Sequence, residues 1–274
     1  MRDSCRGAGS ALRLLVFLFC AAALLAAPAA RADLLSDIRQ RGVLRVGVAV
    51  GVPLFSYLDA RQELVGSDVD TARLLASDLG ARLEIVRLTN AERITALEAG
   101  AVDVVVSSLS ITPEREQVVG LSIPYARLYV VLAGRPALRV SGYADLAGAE
   151  VGVTRNTASG ALVARFAPRA RLVGFDSDMQ LIEAAVAGRL DLFSTQSAVL
   201  DEVNRQSGYK MFEDKFVQQE FDLAVAMPRR EKALRTWINA WVFRQLQSGR
   251  LNEIYRRHHG RDLPAELRPA AGGR

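Results

Sequence analysis

The sequence predicts an α/β protein, because apolar strand patterns alternate with helical patterns in two successive series. The composition is 50% hydrophobic and 24% charged, which is typical of a globular protein and argues against disordered, collagen-like and coiled-coil chains. A length of 274 residues is enough for two α/β units, each of roughly 100 residues.

The first series combines β-branched, alternating strands with helices that end at glycines. Near its end, Thr112 and Pro113 have the residue types of a helix N-cap and first turn. The nearly continuous apolar run at Val102–Val106 is typical of a parallel strand covered on both faces. In order, the predicted elements are a strand at Val43–Val50, a helix at Asp68–Leu79, a strand at Leu83–Leu88, a helix at Glu92–Glu98, and a strand at Val102–Val106.

The second series repeats this alternation. Its predicted elements are strands at Glu150–Val153, Arg171–Phe175, Leu190–Ser194 and Asp222–Ala226, and helices at Ala158–Phe166, Met179–Ala187, Ala198–Gln206, Glu231–Gln247 and Leu251–His258. Strands that alternate with helices in this way indicate largely parallel sheets. The segment 264–274 is rich in Pro, Ala and Gly, and we expect it to be a flexible tail.

The N-terminus has the pattern of a secretory signal peptide. Three arginines precede the apolar run Leu14–Ala27, and Ala30-Arg31-Ala32 offers a small-residue cleavage site. We therefore expect residues 1–32 to direct export to the periplasm, with a retained signal anchor as the alternative. Most of the +5 formal charge lies in this segment, and the remainder has no basic patch of the kind that binds nucleic acid. Both cysteines, Cys5 and Cys20, also lie there, so we expect no disulfide or thiol chemistry.

Seven short motifs, in order along the chain, resemble the periplasmic amino-acid-binding proteins of ABC importers, the polar-amino-acid cluster of family 3 solute-binding proteins. The motifs are P-L-F-S-Y-L-D (Pro53–Asp59), G-S-D-V-D (Gly66–Asp70), G-A-V-D-V-V-V-S-S-L-S-I-T-P-E-R (Gly100–Arg115), S-I-P-Y (Ser122–Tyr125), D-L-A-G-A-E-V-G-V (Asp145–Val153), A-G-R-L-D (Ala187–Asp191) and S-G-R-L-N-E-I-Y (Ser248–Tyr255). Each motif is weak alone, and their common order carries the resemblance.

The resemblance implies a type II periplasmic binding protein with two lobes, two crossing strands and a discontinuous first lobe. Residues 33–130 with 224–263 would form lobe 1, and 131–223 would form lobe 2. The crossings would lie near Tyr129–Ala133 and Phe221–Ala226. In such proteins the ligand binds in the cleft and the lobes close on it by a hinge motion.

Arg115 is the strongest candidate for a ligand-binding residue. It follows a strand and a helix start, and its guanidinium can bind a carboxylate through two parallel hydrogen bonds. The alternative is an exposed arginine on a capped helix. By resemblance, Arg115 and Ser110 would hold the ligand's α-carboxylate, Ser108 would help to hold its ammonium, and Ser107 would touch the ligand.

The segment Thr89–Ile94 resembles the part of the acidic-amino-acid members that binds the ligand's side-chain carboxylate. Arg93 and Asn90 would make these contacts, and a surface arginine is the alternative. The position of that subgroup's second arginine for the ligand side chain is Ala49 in this chain, and alanine cannot bind a carboxylate. Phe55 would form an apolar wall or belong to the core. An acidic ligand is favoured over a polar neutral one only slightly.

The second half departs from the family pattern at two places. Where the family has a G-T-T or G-T-S turn, this chain has N-T-A-S at residues 156–159. Ala158 lacks the hydroxyl group expected at its position, but Thr157 and Ser159 on either side each have one. Where the family has an aspartate for the ligand's ammonium, this chain has Gln196. An amide cannot neutralise a buried ammonium, and an unpaired buried charge costs several kcal/mol.

Three explanations for Gln196 stay open at this stage. Another carboxylate, Asp176, Asp178 or Asp222, can replace the aspartate. The ligand can lack a free ammonium, as a keto, hydroxy or N-substituted acid does. The affinity can simply be lower. If Gln196 occupies the position of the family's aspartate, we expect Gln196→Asp to tighten amino-acid binding.

The predicted function is capture of a small polar carboxylate, an amino acid by preference, for an inner-membrane ABC permease. The runner-up is a prephenate-type dehydratase on the same fold, which needs a cleft acid that Gln196 does not supply. A sensor input domain is a third possibility. We expect a monomer. We also expect no cofactor or metal, because the sequence has no metal-ligand spacing, nucleophile–base pair or nucleotide motif. His258 and His259 are expected to lie remote from the cleft.

Overall fold

The computed structural model describes residues 33–268, which contain two five-stranded sheets and the helices packed on them. The predicted signal peptide and the last six residues lie outside this range; of the predicted tail, residues 264–268 are described, and they contain a 3-10 turn at Ala265–Leu267. Among residues 33–268, no helix combines the length and apolar character that crossing a membrane would require.

The elements follow one another in largely alternating order. The strands are β1 Val43–Ala49, β2 Tyr57–Leu58, β3 Leu64–Val65, β4 Arg82–Leu88, β5 Val104–Val105, β6 Val119–Leu121, β7 Ala126–Gly134, β8 Glu150–Thr154, β9 Arg171–Phe175, β10 Leu192–Gln196, β11 Glu213–Leu223 and β12 Ala226–Pro228. The helices are α1 Leu34–Arg41, α2 Ser67–Leu79, α3 Arg93–Glu98, α4 Pro113–Val118, α5 Ala158–Phe166, α6 Asp178–Val186, α7 Ser197–Ser207, α8 Lys232–Gln247 and α9 Arg250–His259.

The first sheet has the strand order β4-β1-β5-β12-β6. Its first three strands are parallel, with β1 paired to β4 from Val43–Arg82 to Ala49–Leu88, whereas β12 is antiparallel to both neighbours. Helices α8 and α9 return to this sheet at the end of the chain, where Trp241 and Ile238 are fully buried in its core.

The second sheet has the strand order β11-β7-β10-β8-β9. Strands β10, β8 and β9 are parallel, and β7 runs antiparallel to both β10 and β11. Its separate apolar clusters include Phe193 and Phe212, which are fully buried and meet edge to face with ring centroids 4.9 Å apart. We refer to the elements packed on each sheet as the first-sheet side and the second-sheet side.

The chain passes from the first sheet to the second between β6 and β7 and returns between β11 and β12. The paired strands β7 and β11 therefore carry both crossings, and Leu223 forms a bridge to Ser110 on the first-sheet side. The mixed α/β class with two sheets confirms the predicted class. The exact lobe boundaries stay a prediction.

One predicted strand was wrong. Asp222–Ala226 is not a single strand: it contains the end of the eleven-residue β11, a break at Ala224 and Val225, and the start of β12. Most residues of Glu213–Leu223 are polar or only partly buried, so the strand lacks the apolar pattern that sequence analysis depends on.

Candidate functional site

A small cavity lies between the two sides, where strands of both sheets end. Residues that follow or end β4, β5, β8 and β10 line it, as is usual for ligand sites in open α/β sheets. The lining residues are Asn90, Arg93, Ser108, Ser110, Arg115, Leu128, Val130, Thr157, Ala158, Ser159, Asp178, Thr195 and Gln196.

Arg115 lies in the first turn of α4. Thr112 caps this helix, as the sequence predicts, and its hydroxyl accepts a hydrogen bond from the Arg115 backbone N–H at 3.3 Å. The guanidinium donates to the carbonyl of Ser110 at 2.8 Å and, across the cavity, to the carbonyl of Asn156 at 2.9 Å. Burial and the positive charge of Arg93 lower the pKa of Arg115 to about 9, so it stays protonated at neutral pH.

Arg93, at the start of α3, is 3% exposed and is held by three backbone carbonyls. Its guanidinium donates to Asn90 at 3.0 Å, to Ser107 at 2.8 Å and to Asn156 at 3.5 Å. Burial lowers its pKa from the ordinary arginine value. A guanidinium has five N–H groups, and Arg93 uses three of them in these bonds, so two remain to donate to a ligand. Two arginines on one cavity create a strong attraction for anions.

The serine segment after β5 places its three hydroxyl groups differently. Ser108 and Ser110 line the cavity. Ser107 does not, because its hydroxyl accepts a hydrogen bond from the Ala49 backbone N–H at 2.9 Å inside the first sheet. Ser108 has a φ of 41°, and Asn156 opposite has a φ of 56°. Left-handed conformations are uncommon for residues other than glycine and are concentrated at functional sites.

Asp178, the first residue of α6, is the only carboxylate among the described residues that line the cavity. Its side chain accepts hydrogen bonds from the Thr154 hydroxyl at 2.7 Å, the Asn90 amide at 3.3 Å and the Gln196 amide at 3.3 Å. Its backbone N–H donates to the Asn90 side-chain oxygen at 3.2 Å, which completes a reciprocal pair between the two sides. Burial raises the pKa of this carboxyl despite these donors and the charge of Arg93.

The other two acids that could replace the missing aspartate lie elsewhere. Asp176 is exposed and forms an ion pair with Arg155 at 2.6 Å. Asp222 forms an ion pair with Arg127 at 2.8 Å on the β7–β11 pair. Neither lines the cavity, so of the three open candidates the structure brings only Asp178 to it. Gln196 does line the cavity, and its side-chain oxygen is buried without a hydrogen-bond partner within the described part of the chain.

Thr157 and Ser159 lie where α5 begins. Thr157 is the N-cap of this helix and accepts from the Gly160 backbone N–H at 3.2 Å, and the hydroxyls of Thr157 and Ser159 are 2.9 Å apart. Both residues line the cavity beside Ala158. The start of α5 thus directs the positive end of a helix dipole at the cavity, which favours a bound anion.

Phe55 lies outside the cavity, in a neighbouring hollow that shares Leu128 and Gln196 with it. Its ring packs edge to face on His259, with centroids 4.6 Å apart. His259 does not line the cavity itself, and α9 places it in this neighbouring hollow. Burial lowers the pKa of His259 to about 3. No group of side chains suited to a metal occurs among residues 33–268.

Asn156 and Thr154, which support the site residues from behind, had no predicted role. Asn156 joins both arginines through its carbonyl, and Thr154 holds Asp178, but each contact depends on elements far apart in the chain. The only sequence signal was their place at the carboxyl end of β8, a parallel strand: Thr154 is its last residue and Asn156 follows two residues later. Leu128 and Val130 line the cavity from β7, which had no predicted role beyond the crossing.

Comparison with known proteins identifies the family. The family described as "Bacterial extracellular solute-binding proteins, family 3" matches residues 44–261. The chain belongs to this family. A glutamine-binding protein of an ABC transporter, GlnH of Bacillus subtilis, is 25% identical over 240 residues, which are 85% of this chain and 87% of that protein. The resemblance stated from the motifs is confirmed.

Solved structures of family 3 relatives agree with the fold. The holo structure of ArgBP from T. maritima has a TM-score of 0.72 and 28% identity, covering 80% of this chain and 97% of that chain. A solute receptor for L-cysteine of Neisseria gonorrhoeae has a TM-score of 0.76 and 26% identity, covering 83% and 93%. The two-lobe type II architecture of the solute-binding proteins is thereby confirmed. The family fold also occurs in an enzyme, since a cyclohexadienyl dehydratase of Pseudomonas aeruginosa is 27% identical over 232 residues, which are 80% of this chain and 83% of that protein.

Proposed function

We propose that this protein is the solute-binding component of an ABC importer and that it captures an acidic or polar α-amino acid in the periplasm. The observation that supports this most directly is the convergence of Arg93, Arg115 and Asp178 on one small cavity between the two sides. Two cations and one anion match the two carboxylates and one ammonium of a dicarboxylic amino acid. Closure of the lobes by the β7–β11 hinge would bring these groups together around the ligand.

Arg115 is assigned to the α-carboxylate, together with Ser110 and the start of α5. Its guanidinium is held by the Ser110 and Asn156 carbonyls, which leaves donors of the planar fork for a carboxylate. Arg93 is assigned to the ligand side chain, because it lies within the segment Thr89–Ile94 that resembles the acidic-amino-acid members and contacts Asn90 of the same segment. A polar neutral side chain could accept hydrogen bonds from the same guanidinium.

Asp178 is assigned to the ligand's ammonium, with Ser108 nearby on the opposite wall. A buried carboxylate with a raised pKa is stabilised by a cation, and a bound ammonium supplies one. This assignment favours the replacement carboxylate over the other two explanations for Gln196. A ligand without an ammonium would leave Asp178 without a cationic ligand partner.

Enzymatic dehydration is the second candidate, because Asp178 is a buried acid with a raised pKa of the kind that protonates a leaving group. Its carboxylate already accepts three hydrogen bonds, however, which hold it as an acceptor. The binding function is therefore preferred. The periplasmic location, the permease partner and the monomeric state are part of the proposal and rest on the family and the N-terminal pattern.

The test is a thermal-melting panel on ligand-stripped protein, in which each amino acid is paired with its 2-hydroxy or 2-keto counterpart. A ligand present at about 1,000 times its Kd adds about 4 kcal/mol of stability. We expect stabilisation by an acidic or polar amino acid, none by its amine-free counterpart, and no turnover of prephenate. Arg115→Gln should remove the stabilisation, whereas the exposed Arg155→Gln should keep it. Stabilisation by amine-free acids alone would contradict the assignment of Asp178.

A further inference from the structure

Asn156 lies in the turn between β8 and α5, at the position where the family's G-T-T turn has glycine. Its φ of 56° is in the left-handed region, which glycine adopts freely and which asparagine tolerates better than most residues. Asparagine therefore keeps the backbone that the turn needs and adds a side chain with two amide hydrogens. Because glycine would satisfy the same backbone, the side chain is an addition to the turn.

The Asn156 side chain reaches from the second-sheet side to the first-sheet side. Its amide donates a hydrogen bond to the carbonyl of Ala91, in the segment before α3, at 3.0 Å. The backbone N–H of Ala91 donates in turn to the carbonyl of Asp176 at 3.3 Å, so both polar backbone groups of Ala91 bond to the second-sheet side. Asn156 and Ala91 do not line the cavity, and this contact therefore joins the two sides without occupying the space for a ligand.

The backbone of Asn156 is held by the two arginines of the site. Arg115 donates to the Asn156 carbonyl at 2.9 Å and Arg93 donates to it at 3.5 Å, so the residue bonds to the first-sheet side through its carbonyl as well as its amide. The bonds to the carbonyl do not depend on the residue type at position 156, whereas the bond to Ala91 needs the side chain. A substitution can therefore remove one contact and keep the other.

We propose that Asn156 is a positioning residue that acts as a latch: its side chain fastens the start of α5 to Ala91 and thereby slows release of the bound ligand. The inference rests on the proposed capture of an amino acid. Because the contact joins the two sides, it stabilises the closed complex and is absent from an open protein that receives the ligand. The latch therefore lowers the dissociation rate and leaves the association rate unchanged, which is the usual way in which affinity is tuned.

The experiment compares wild type with Asn156→Gly, which keeps the left-handed backbone and the carbonyl but lacks the amide. The probes are L-glutamate and L-glutamine, and stopped-flow association and displacement measurements give the two rate constants for each. Since one hydrogen bond between neutral groups is lost, we expect the dissociation rate to rise about three- to tenfold and the association rate to stay constant. The factor should be the same for both probes, because the latch does not contact the ligand.

Two further variants separate the latch from a general effect of glycine. Gln62→Gly makes the same kind of change at an exposed residue with a φ of 62°, between β2 and β3, and should leave both rates unchanged. Asn156→Asp keeps the size of the side chain, but a carboxylate cannot donate to the Ala91 carbonyl, so the dissociation rate of L-glutamine, which has no net charge, should rise as it does in Asn156→Gly.

The outcomes distinguish the latch from amino-acid capture itself. An unchanged dissociation rate in Asn156→Gly, or a loss of affinity that arises from slower association, would overturn the latch and leave amino-acid capture intact. A change that differs between the two probes would also overturn it, because it would indicate direct contact with the ligand. If wild-type protein binds neither probe, the proposed function fails, and the inference fails with it.

Discussion

Replacing Asp178 by asparagine should weaken amino-acid binding without destabilising the empty protein. Asparagine has nearly the same shape, and its oxygen can still accept from Thr154. Its amide would face the Gln196 side chain, whose oxygen has no partner within residues 33–268 and can accept the new N–H after rotating. The hydrogen-bond network of the empty cavity is thus kept apart from the 3.3 Å bond from the Asn90 amide, whereas the charge that pairs with the ligand's ammonium is lost.

The magnitude follows from the burial of the pair. Removing one partner of a buried, hydrogen-bonded charge pair costs about 2–5 kcal/mol of binding free energy, which corresponds to a Kd larger by about thirtyfold to a few thousandfold. The empty protein should change in the opposite direction. Because burial raises the pKa of Asp178, the wild type loses stability as pH rises from 3.8 through that raised pKa, and asparagine removes this loss.

Isothermal titration calorimetry measures the first effect, and calorimetric melting of the empty protein between pH 4 and pH 8 measures the second. Asp176→Asn is the matched control, because Asp176 lies two residues away and pairs with the exposed Arg155. A Kd for amino acids that stays within about threefold of wild type would refute the ammonium assignment, since threefold is only about 0.7 kcal/mol. Loss of binding by both variants would instead indicate a general disturbance of the loop before α6.

Two other changes test the geometry of closure and of the ammonium site. The sequence alone predicts that Gln196→Asp tightens amino-acid binding, but the structure predicts that it does not. The change places a second carboxylate beside Asp178, and two adjacent buried carboxylates do not both ionise. A gain in affinity measured by titration calorimetry would contradict this reasoning. Gly51→Ala should weaken binding several-fold, because a Cβ at Gly51 would lie 2.9 Å from the Cβ of Met179 on the opposite side. Gly80→Ala is its control, since Gly80 also has a positive φ but nothing within 4 Å of an added Cβ, and an equal loss of affinity in both variants would assign the effect to backbone strain.

The fold could be predicted wherever the local pattern was strong. Helix α5 and strand β9 have the predicted bounds, because Ala158–Phe166 follows a threonine cap and Arg171–Phe175 precedes a turn. All of strand β11 except its last two residues escaped prediction, because the strand lies at the edge of its sheet, where many of its residues are polar or exposed. The periodicity of apolar residues indicates burial, and an edge strand buries too little to create that signal.

The sequence predicted several of the residues that line the cavity, but not which groups each of their side chains contacts. The motif around Arg115 indicated a residue that the structure places in the cavity wall, because a strand end followed by a capped helix fixes where the side chain starts. That Ser107 faces the sheet and Ser108 the cavity depends on the left-handed backbone at Ser108, for which the sequence has no glycine to give warning. The sequence also could not distinguish Asp178 from Asp176 as the cavity carboxylate. Asp178 lines the cavity because it begins α6, whereas Asp176 stays in the exposed loop before that helix.

Asp178 also couples ligand binding to closure in a way that an acid at position 196 would not. Gln196 ends a strand of the second sheet, whereas Asp178 binds Asn90 of the first-sheet side through both its carboxylate and its backbone N–H. The same carboxylate therefore helps to hold the two sides together and, in the proposed function, holds the ligand's ammonium. A bound ammonium strengthens the ionised form of Asp178, and an ionised carboxylate is the stronger acceptor for the Asn90 amide. Ligand capture and closure then stabilise each other through one group, without requiring any contact between the ligand and the hinge strands.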